Sequence, residues 1–366
     1  MPNTVRLIKA DARKQPRRDV HHFIGSVEMG FVPRSPPGRS GVNAMNDTRA
    51  DRPLEIAVTI DDFVLWDGVP MPDDTTPTDI TRSVAKTLND YGLKGTYGFS
   101  HTYRLENEPE QIEAFEAWAE AGHHLGNHTH QHAPLRWMPD AAFRRDFETA
   151  EKYIGHLIDA APSKYFRYPM DMSSGSERRR GEVENYLADL GYRTAPITSW
   201  FSDFAFIMPY FRAMTLGDKD VQKQVRDLHV STAVDMLYKH ADTAHTLFGA
   251  DAPLIWLVHG TTISRDTLAP ILEAFLERGV EFVTLDEAMK HPVNFGKPPC
   301  NESFTNQLQR FALAAGLPKP ELDFERLAEI LNLAPIPGLD TMATYEERMF
   351  KPLAKRVGAE YDWDWS

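Results

Sequence analysis

The chain has 366 residues, a formal net charge of −13, 42% hydrophobic and 25% charged residues, and one cysteine. This is the make-up of an ordinary globular protein, not a disordered or fibrous one, and its acidic balance argues against nucleic acid or an anionic membrane as partner, because phosphates need a basic footprint. Cys300 alone permits neither an intrachain disulfide nor a cysteine-rich metal site, so any metal must be held by His, Asp or Glu.

Residues 1–52 differ from the rest. They are basic and poor in acids, with Pro33, Pro36, Pro37, Gly38 and Gly41 close together. The stretch reads as a flexible basic arm, or as an extension ahead of a start near Met45. It carries Arg13, Lys14, Arg17 and Arg18 but no apolar run suited to a signal peptide. No later stretch approaches a membrane span, so a cytoplasmic protein is expected.

From Glu55 onward apolar runs alternate with amphipathic segments, the pattern of βα units around a largely parallel sheet. EIAVTI (55–60) reads as a strand and is followed by Asp61 and Asp62, an acidic Pro-rich loop and a helix over 78–91 that stops at Gly92. KGTYGF (94–99) is the next strand, and a helix over 110–121 stops at Gly122. HHLG then leads into NHTHQH, a polar loop. Helices are predicted near 140–160, 177–190 and 220–247, and strands at 164–169, 192–197, 254–259 and 280–285. Asp61, Arg167 and His259 thus fall where strands end, the face on which parallel barrels build their sites. Beyond Met289 the rhythm fades. This divides the chain into an arm (1–52), an α/β barrel (53–290) and a mostly helical C-terminal extension (291–366) that ends in an aromatic-acidic tail.

A carboxylate and two imidazoles make a catalytic metal set with a position left for water, and a spare acid beside it is a general base. Asp62, His128 and His132 supply that count, and Asp61 is the spare. The i, i+4 spacing of the histidines would aim both rings at one point if the loop winds into a helical turn. Consecutive acids after a strand are also common turn or cap residues, and a histidine pair in a polar loop can simply be solvated.

TIDD (59–62), GNHTHQH (126–132), FRYP (166–169) and LVH (257–259), in that order, resemble four motifs of the polysaccharide deacetylase family, the NodB-type carbohydrate esterases. YGLKGTYGF (91–99) and AGHHLGNHTH (121–130) are similar to the family framework. The resemblance covers about Leu54 to Met289 and implies an irregular (β/α) barrel. It implies Asp61 as catalytic base, Asp62, His128 and His132 as ligands of a divalent metal, zinc by preference, Arg167 as the group that orients the base, and His259 as the acid. It gives His130 no role. The backbone N–H of Met170 would help hold the oxyanion. The implied reaction is removal of an N-acetyl or similar acyl group from an amino sugar, related carbohydrate or small-molecule amide.

The fourth motif is poorly kept. In SWFSDFAF (199–206) only one acid, Asp203, survives under either alignment, and in the family this region lines the acyl pocket and tunes the catalytic histidine. Phe63 stands where the family has Asp-Gly, and Met170 where an aromatic is usual. Both changes are expected to put bulk near the mouth and to take the substrate outside the main chitin and peptidoglycan group. Two rival functions stand beside deacetylation: an allantoinase- or imidase-like opening of cyclic amides, and a catalytically inactive carbohydrate-binding barrel.

Overall fold

The computed structural model describes residues 53–63, 68–249, 251–300 and 302–363, all within one compact unit. The expected basic arm, residues 1–52, lies outside the described residues.

Seven parallel strands form one sheet: β1 (Glu55–Asp61), β2 (Tyr97–Ser100), β3 (His124–Asn127), β4 (Lys164–Phe166), β5 (Tyr192–Thr194), β6 (Leu254–His259) and β7 (Glu281–Phe282). Their order is β5-β4-β3-β2-β1-β6, with β7 on the lower end of β1. Just past β5, the Ser199 N–H donates to Ile255 O and the Leu257 N–H to Ser199 O, which curls the path back onto β6. The product is an irregular (β/α) barrel.

Alternation along the strands sorts the side chains. On β1, Ile56, Val58 and Ile60 pack outward against the helices, while Ala57 belongs to an inner cluster with Tyr97, Phe99, Tyr165, Ala195 and Ile255. Period two then carries Thr59 and Asp61 to the inner face, and likewise Leu257 and His259 on β6. Register places Asp61 directly opposite His259. Two groups distant in sequence become neighbours at the carboxyl rim.

The surrounding helices are α1 (Pro77–Asp90), α2 (Ile112–Glu120), α3 (Asp140–Ile158), α4 (Glu177–Asp189), α5 (Phe204–Thr215), α6 (Lys219–Phe248) and α7 (Thr262–Leu276). Helix α1 starts in a capping box, with Thr76 and Asp79 satisfying each other's backbone N–H groups and Pro77 at the first position. Helices α5 and α7 and strand β3 were not anticipated from the sequence. Strand β4 is shorter than predicted because the chain leaves the sheet at Arg167, ahead of Pro169.

The C-terminal segment lays short helices over the barrel: α8 (Leu285–Ala288), α9 (Pro292–Phe295), α10 (Gln307–Ala314), α11 (Phe324–Leu331) and α12 (Thr341–Tyr345), which passes through a π-turn (Glu346–Phe350) into α13 (Lys351–Val357). Buried Arg212 of α5 anchors it by donating to the carbonyls of Leu331, Leu333 and Leu339. No described helix is long and apolar enough to cross a membrane.

Candidate active site

Strand alternation alone would send Asp61 and Asp62 to opposite faces. Asp62 instead adopts a left-handed backbone (φ 50), a conformation that Asp tolerates better than most residues. Its N–H donates to Phe99 O at 2.8 Å, and both carboxylates face the rim. Phe63 then turns inward, stacking on Trp118 at 5.4 Å and edge-on to Phe115 at 5.2 Å. The expectation that Phe63 adds bulk at the mouth is therefore corrected: it is fully buried. A β-carbon at Gly98 or Gly260 would lie only 2.7 or 2.5 Å from Phe63, so these glycines provide its room.

His128 and His132 converge without the helical turn that the i, i+4 spacing suggested. The loop stays irregular, with left-handed Thr129 (φ 63) and His132 (φ 60). Polar side chains hold that shape. Asn127 Oδ1 accepts from Thr129 N–H, Thr129 Oγ1 from His132 N–H, and buried Asp146 from Gln131 N–H. Burial pushes the Asp146 carboxyl up to about 7. His130 faces away from the pair and bonds Thr102 and Glu106.

His128 Nδ1–H donates to Arg167 O at 2.8 Å, leaving Nε2 unprotonated toward the site. That atom lies 3.2 Å from His132 Nε2, which lies 3.3 Å from Asp62 Oδ2. Both separations are close to the roughly 3.3 Å edge of a tetrahedral shell with metal–ligand distances near 2.0–2.1 Å. All three donor atoms fall within 4.8 Å of one another, and the residues are buried. Burial also keeps both imidazoles below their ordinary range. It works to raise the Asp62 carboxyl too, but His132 and His101 outweigh it and hold Asp62 well below the carboxylate range. Two neutral imidazoles and an ionised carboxylate aimed at one point fit a divalent cation.

Arg167, fully buried, donates from Nη1 to Asp61 Oδ1 at 2.5 Å and to Thr59 Oγ1 at 2.9 Å, with its guanidinium 4.1 Å from the centre of the Phe99 ring. Burial nevertheless raises the Asp61 carboxyl, with Arg167 pulling against it. On the other side, His259 Nε2 lies 4.0 Å from Asp62 Oδ2, and its Nδ1 lies 2.9 Å from Asp203 Oδ1. Burial works to lower His259, but Asp203 more than offsets it and the imidazole is pushed up to about 9.

Met170 and Asp171 are both left-handed (φ 55 and 53). The described residues supply no hydrogen-bond partner for the Met170 N–H, and Met170 lines the cavity with Asp61, Asp62, His128, His132 and His259. Arg310 of α10 secures the turn through Asp171 O at 2.9 Å. All eight sequence-selected residues thus lie in one place.

Sequence reasoning missed two participants. His101, just past β2, puts Nδ1 3.1 Å from Asp62 Oδ1; its signal was its place at a strand end. Arg310 had no local signal at all.

Residues 51–195 match the family model described as polysaccharide deacetylase. No curated protein sequence matches the chain. Among solved structures the chain is similar to a mutant of BA3943, a CE4 family pseudoenzyme with restored enzymatic activity, the wild-type protein being from Bacillus anthracis. Identity is 17%, covering 65% of this chain and 68% of that one, with a TM-score of 0.44. It is also similar to the Bc1960 peptidoglycan N-acetylglucosamine deacetylase (18% identity, 68% of this chain, 90% of that one, TM-score 0.40). A third is Bacillus subtilis PdaA, a family 4 carbohydrate esterase (18% identity, 65% of this chain, 81% of that one, TM-score 0.42).

Proposed function

We propose that the chain, whose residues 51–195 match the polysaccharide deacetylase model, is a divergent member of that family and hydrolyses an N-acyl bond by a metal-dependent mechanism centred on Asp61 and His259. The reaction class is hydrolysis of C–N bonds of the deacetylase type. The substrate in this reading is an acylated amino sugar or a small-molecule amide.

Asp62, His128 and His132 would hold a divalent cation, zinc by preference, which when bound supplies the positive charge that acidifies a water and polarises the acyl carbonyl. Asp61 takes the proton from the attacking water. Arg167 favours the ionised carboxylate against the burial that raises it, and fixes its rotamer. The Met170 N–H donates to the carbonyl oxygen as it gains negative charge. His259 carries its proton on Nε2 toward the departing nitrogen, while Asp203 retains the proton on Nδ1 and so fixes ring orientation. The products are a carboxylate and a free amine.

The observation that carries this reading is the register pairing of Asp61 with His259, which sets a base and an acid on either side of the Asp62–His128–His132 cluster. The test is a screen of the zinc-loaded chain for carboxylate release from N-acetylated sugars, simple amides and cyclic ureides, with and without chelator. Turnover should vanish on chelation and return with zinc, and Asp61→Asn should keep the metal yet lose about 10²–10⁴-fold in kcat. Turnover indifferent to chelator overturns the metal role, and a preference for cyclic ureides moves the reaction to imide opening.

A further inference from the structure

The cavity above the catalytic groups is walled mainly by apolar side chains. Leu257 and Ile197 form its base beside His259, Trp200 and Phe204 flank Asp203, and Phe304, Tyr345, Met349 and Phe350 come from the C-terminal segment. The rings of Trp200, Phe204, Phe304 and Tyr345 form one cluster. Trp200 and Phe304 have centroids 4.6 Å apart, and Phe204 lies 6.1 Å from Tyr345. The space between these walls is narrow, about 60 Å³, enough for one small substituent and not for a glycan chain.

The polar side chains in this wall, outside the catalytic set, are already engaged within the protein. Asn306 Oδ1 accepts from Gln309 N–H and its Nδ2 donates to His240. Tyr345 Oη donates to Phe204 O, and Asp171 pairs with Arg310. Thr305 Oγ1 donates to Ser303 O. A glycan chain brings many hydroxyls that must trade water for protein partners, and each one left unmatched weakens binding. An open cleft would also leave its catalytic groups accessible, whereas Asp61 and Asp62 are 2% and 1% exposed.

Resting on the deacylase reading, the geometry points to a small amide with an apolar substituent, aryl or short alkyl, as the substrate class, with that substituent seated against Trp200, Phe304, Tyr345 and Phe350. The C-terminal segment, outside the family match at 51–195, supplies half of this surface. It adds an apolar wall over the catalytic groups. Each methylene seated there contributes a factor of about three to four in affinity.

The test uses the full zinc-loaded chain and two matched arms. In the acyl arm, N-acetyl-, N-butyryl- and N-benzoylglucosamine share one amine; in the amine arm, acetanilide and N-benzylacetamide are set against N-acetylglucosamine and tetra-N-acetylchitotetraose. At least one arm should show kcat/KM ten-fold or more higher for the apolar member, and Phe304→Ala should lower kcat/KM for that member about five-fold more than for N-acetylglucosamine. Equal or better turnover of the chitin oligomer overturns the proposal without touching the deacylase reading. If nothing turns over, the deacylase reading fails and calorimetric binding of the products, which need no chemistry, still decides this one. Benzoate should bind ten-fold tighter than acetate, or benzylamine ten-fold tighter than glucosamine; parity in both pairs overturns it.

Discussion

The Asp203 carboxylate accepts two hydrogen bonds from a single residue, one from His259 Nδ1–H at 2.9 Å and one from the His259 backbone N–H at 2.7 Å. It therefore fixes both where the strand end lies and how the ring is turned. Burial works to raise the Asp203 carboxyl, but His259 outweighs it and the group stays ionised. Asparagine can accept only one of these bonds and would turn its NH₂ toward a donor at the other. Asp203→Asn should therefore lower kcat on amides by about 10²–10⁴-fold while activated esters, whose leaving groups need no proton, suffer much less. Equal loss on both substrate types would show that Asp203 acts on the fold and not through the acid.

His101 adjoins the proposed metal-ligand set and carries no family signal. Its Nδ1–H donates to Asp62 Oδ1, while Asp62 Oδ2 faces His132. A ligand carboxylate held this way loses less freedom when it binds a cation, and removal of such supports typically costs 10- to 100-fold in affinity. His101→Ala should weaken zinc binding by about that factor in competition with a chromophoric chelator. His101→Asn, whose amide N–H can stand in for Nδ1–H, should recover most of it. Unchanged affinity in the alanine variant would remove His101 from the site's support.

Much of the site was legible because period-two alternation and strand ends are local rules. LIWLVH is a strand over Leu254–His259 as read, and the acids after EIAVTI sit at its end. What failed was shape that depends on distant partners. The histidine loop takes left-handed turns because Asn127, Thr129 and Asp146 supply side-chain bonds, so the spacing suggested a helix that does not form. Phe63 was assigned to the mouth because nothing in its neighbours announces the gaps at Gly98 and Gly260. Asp203 was tied to the catalytic histidine only through the family resemblance, since the motif is degraded and its partner is 56 residues away. The aromatic wall from Phe304, Tyr345 and Phe350 lay in a segment with no recognisable rhythm, where only tertiary packing shows which side chains meet the site.

Arg310 reaches from α10 to the turn that presents the Met170 N–H, bonding Asp171 O at 2.9 Å and pairing with its carboxylate at 3.4 Å. Burial pushes that carboxyl up to about 6 despite Arg310. Two consecutive left-handed residues, one a long unbranched side chain, hold their conformation only when the surroundings insist on it. Arg310→Ala should relax the turn and lower kcat about 10- to 100-fold with KM little changed, because an oxyanion donor acts mainly in the transition state. Steady-state kinetics separate the cases: a rise in KM with kcat intact would assign Arg310 to substrate binding instead.

Acid should loosen the join between barrel and C-terminal segment through His240. Its Nδ1–H donates to Met236 O at 2.7 Å, and its bare Nε2 accepts from Asn306 Nδ2 at 3.1 Å. Asn306 cannot simply flip, because its Oδ1 caps α10 by accepting from Gln309 N–H. A proton on Nε2 would thus face another donor, and burial accordingly pushes the imidazole down to about 4 from its ordinary 6.5. Between those values the unfolded chain binds the proton and the folded one does not, so stability is full above pH 6.5 and falls as pH drops toward 4. The loss is on the order of 3 kcal/mol at the acid end. His229, lowered to about 4 by its own burial, adds a second contribution of the same sign. Glutamine offers one donor and one acceptor and does not titrate, so His240→Gln should measurably reduce the loss of stability between pH 7 and 4.5 in urea unfolding. An unaltered pH dependence in that variant would place the acid sensitivity elsewhere.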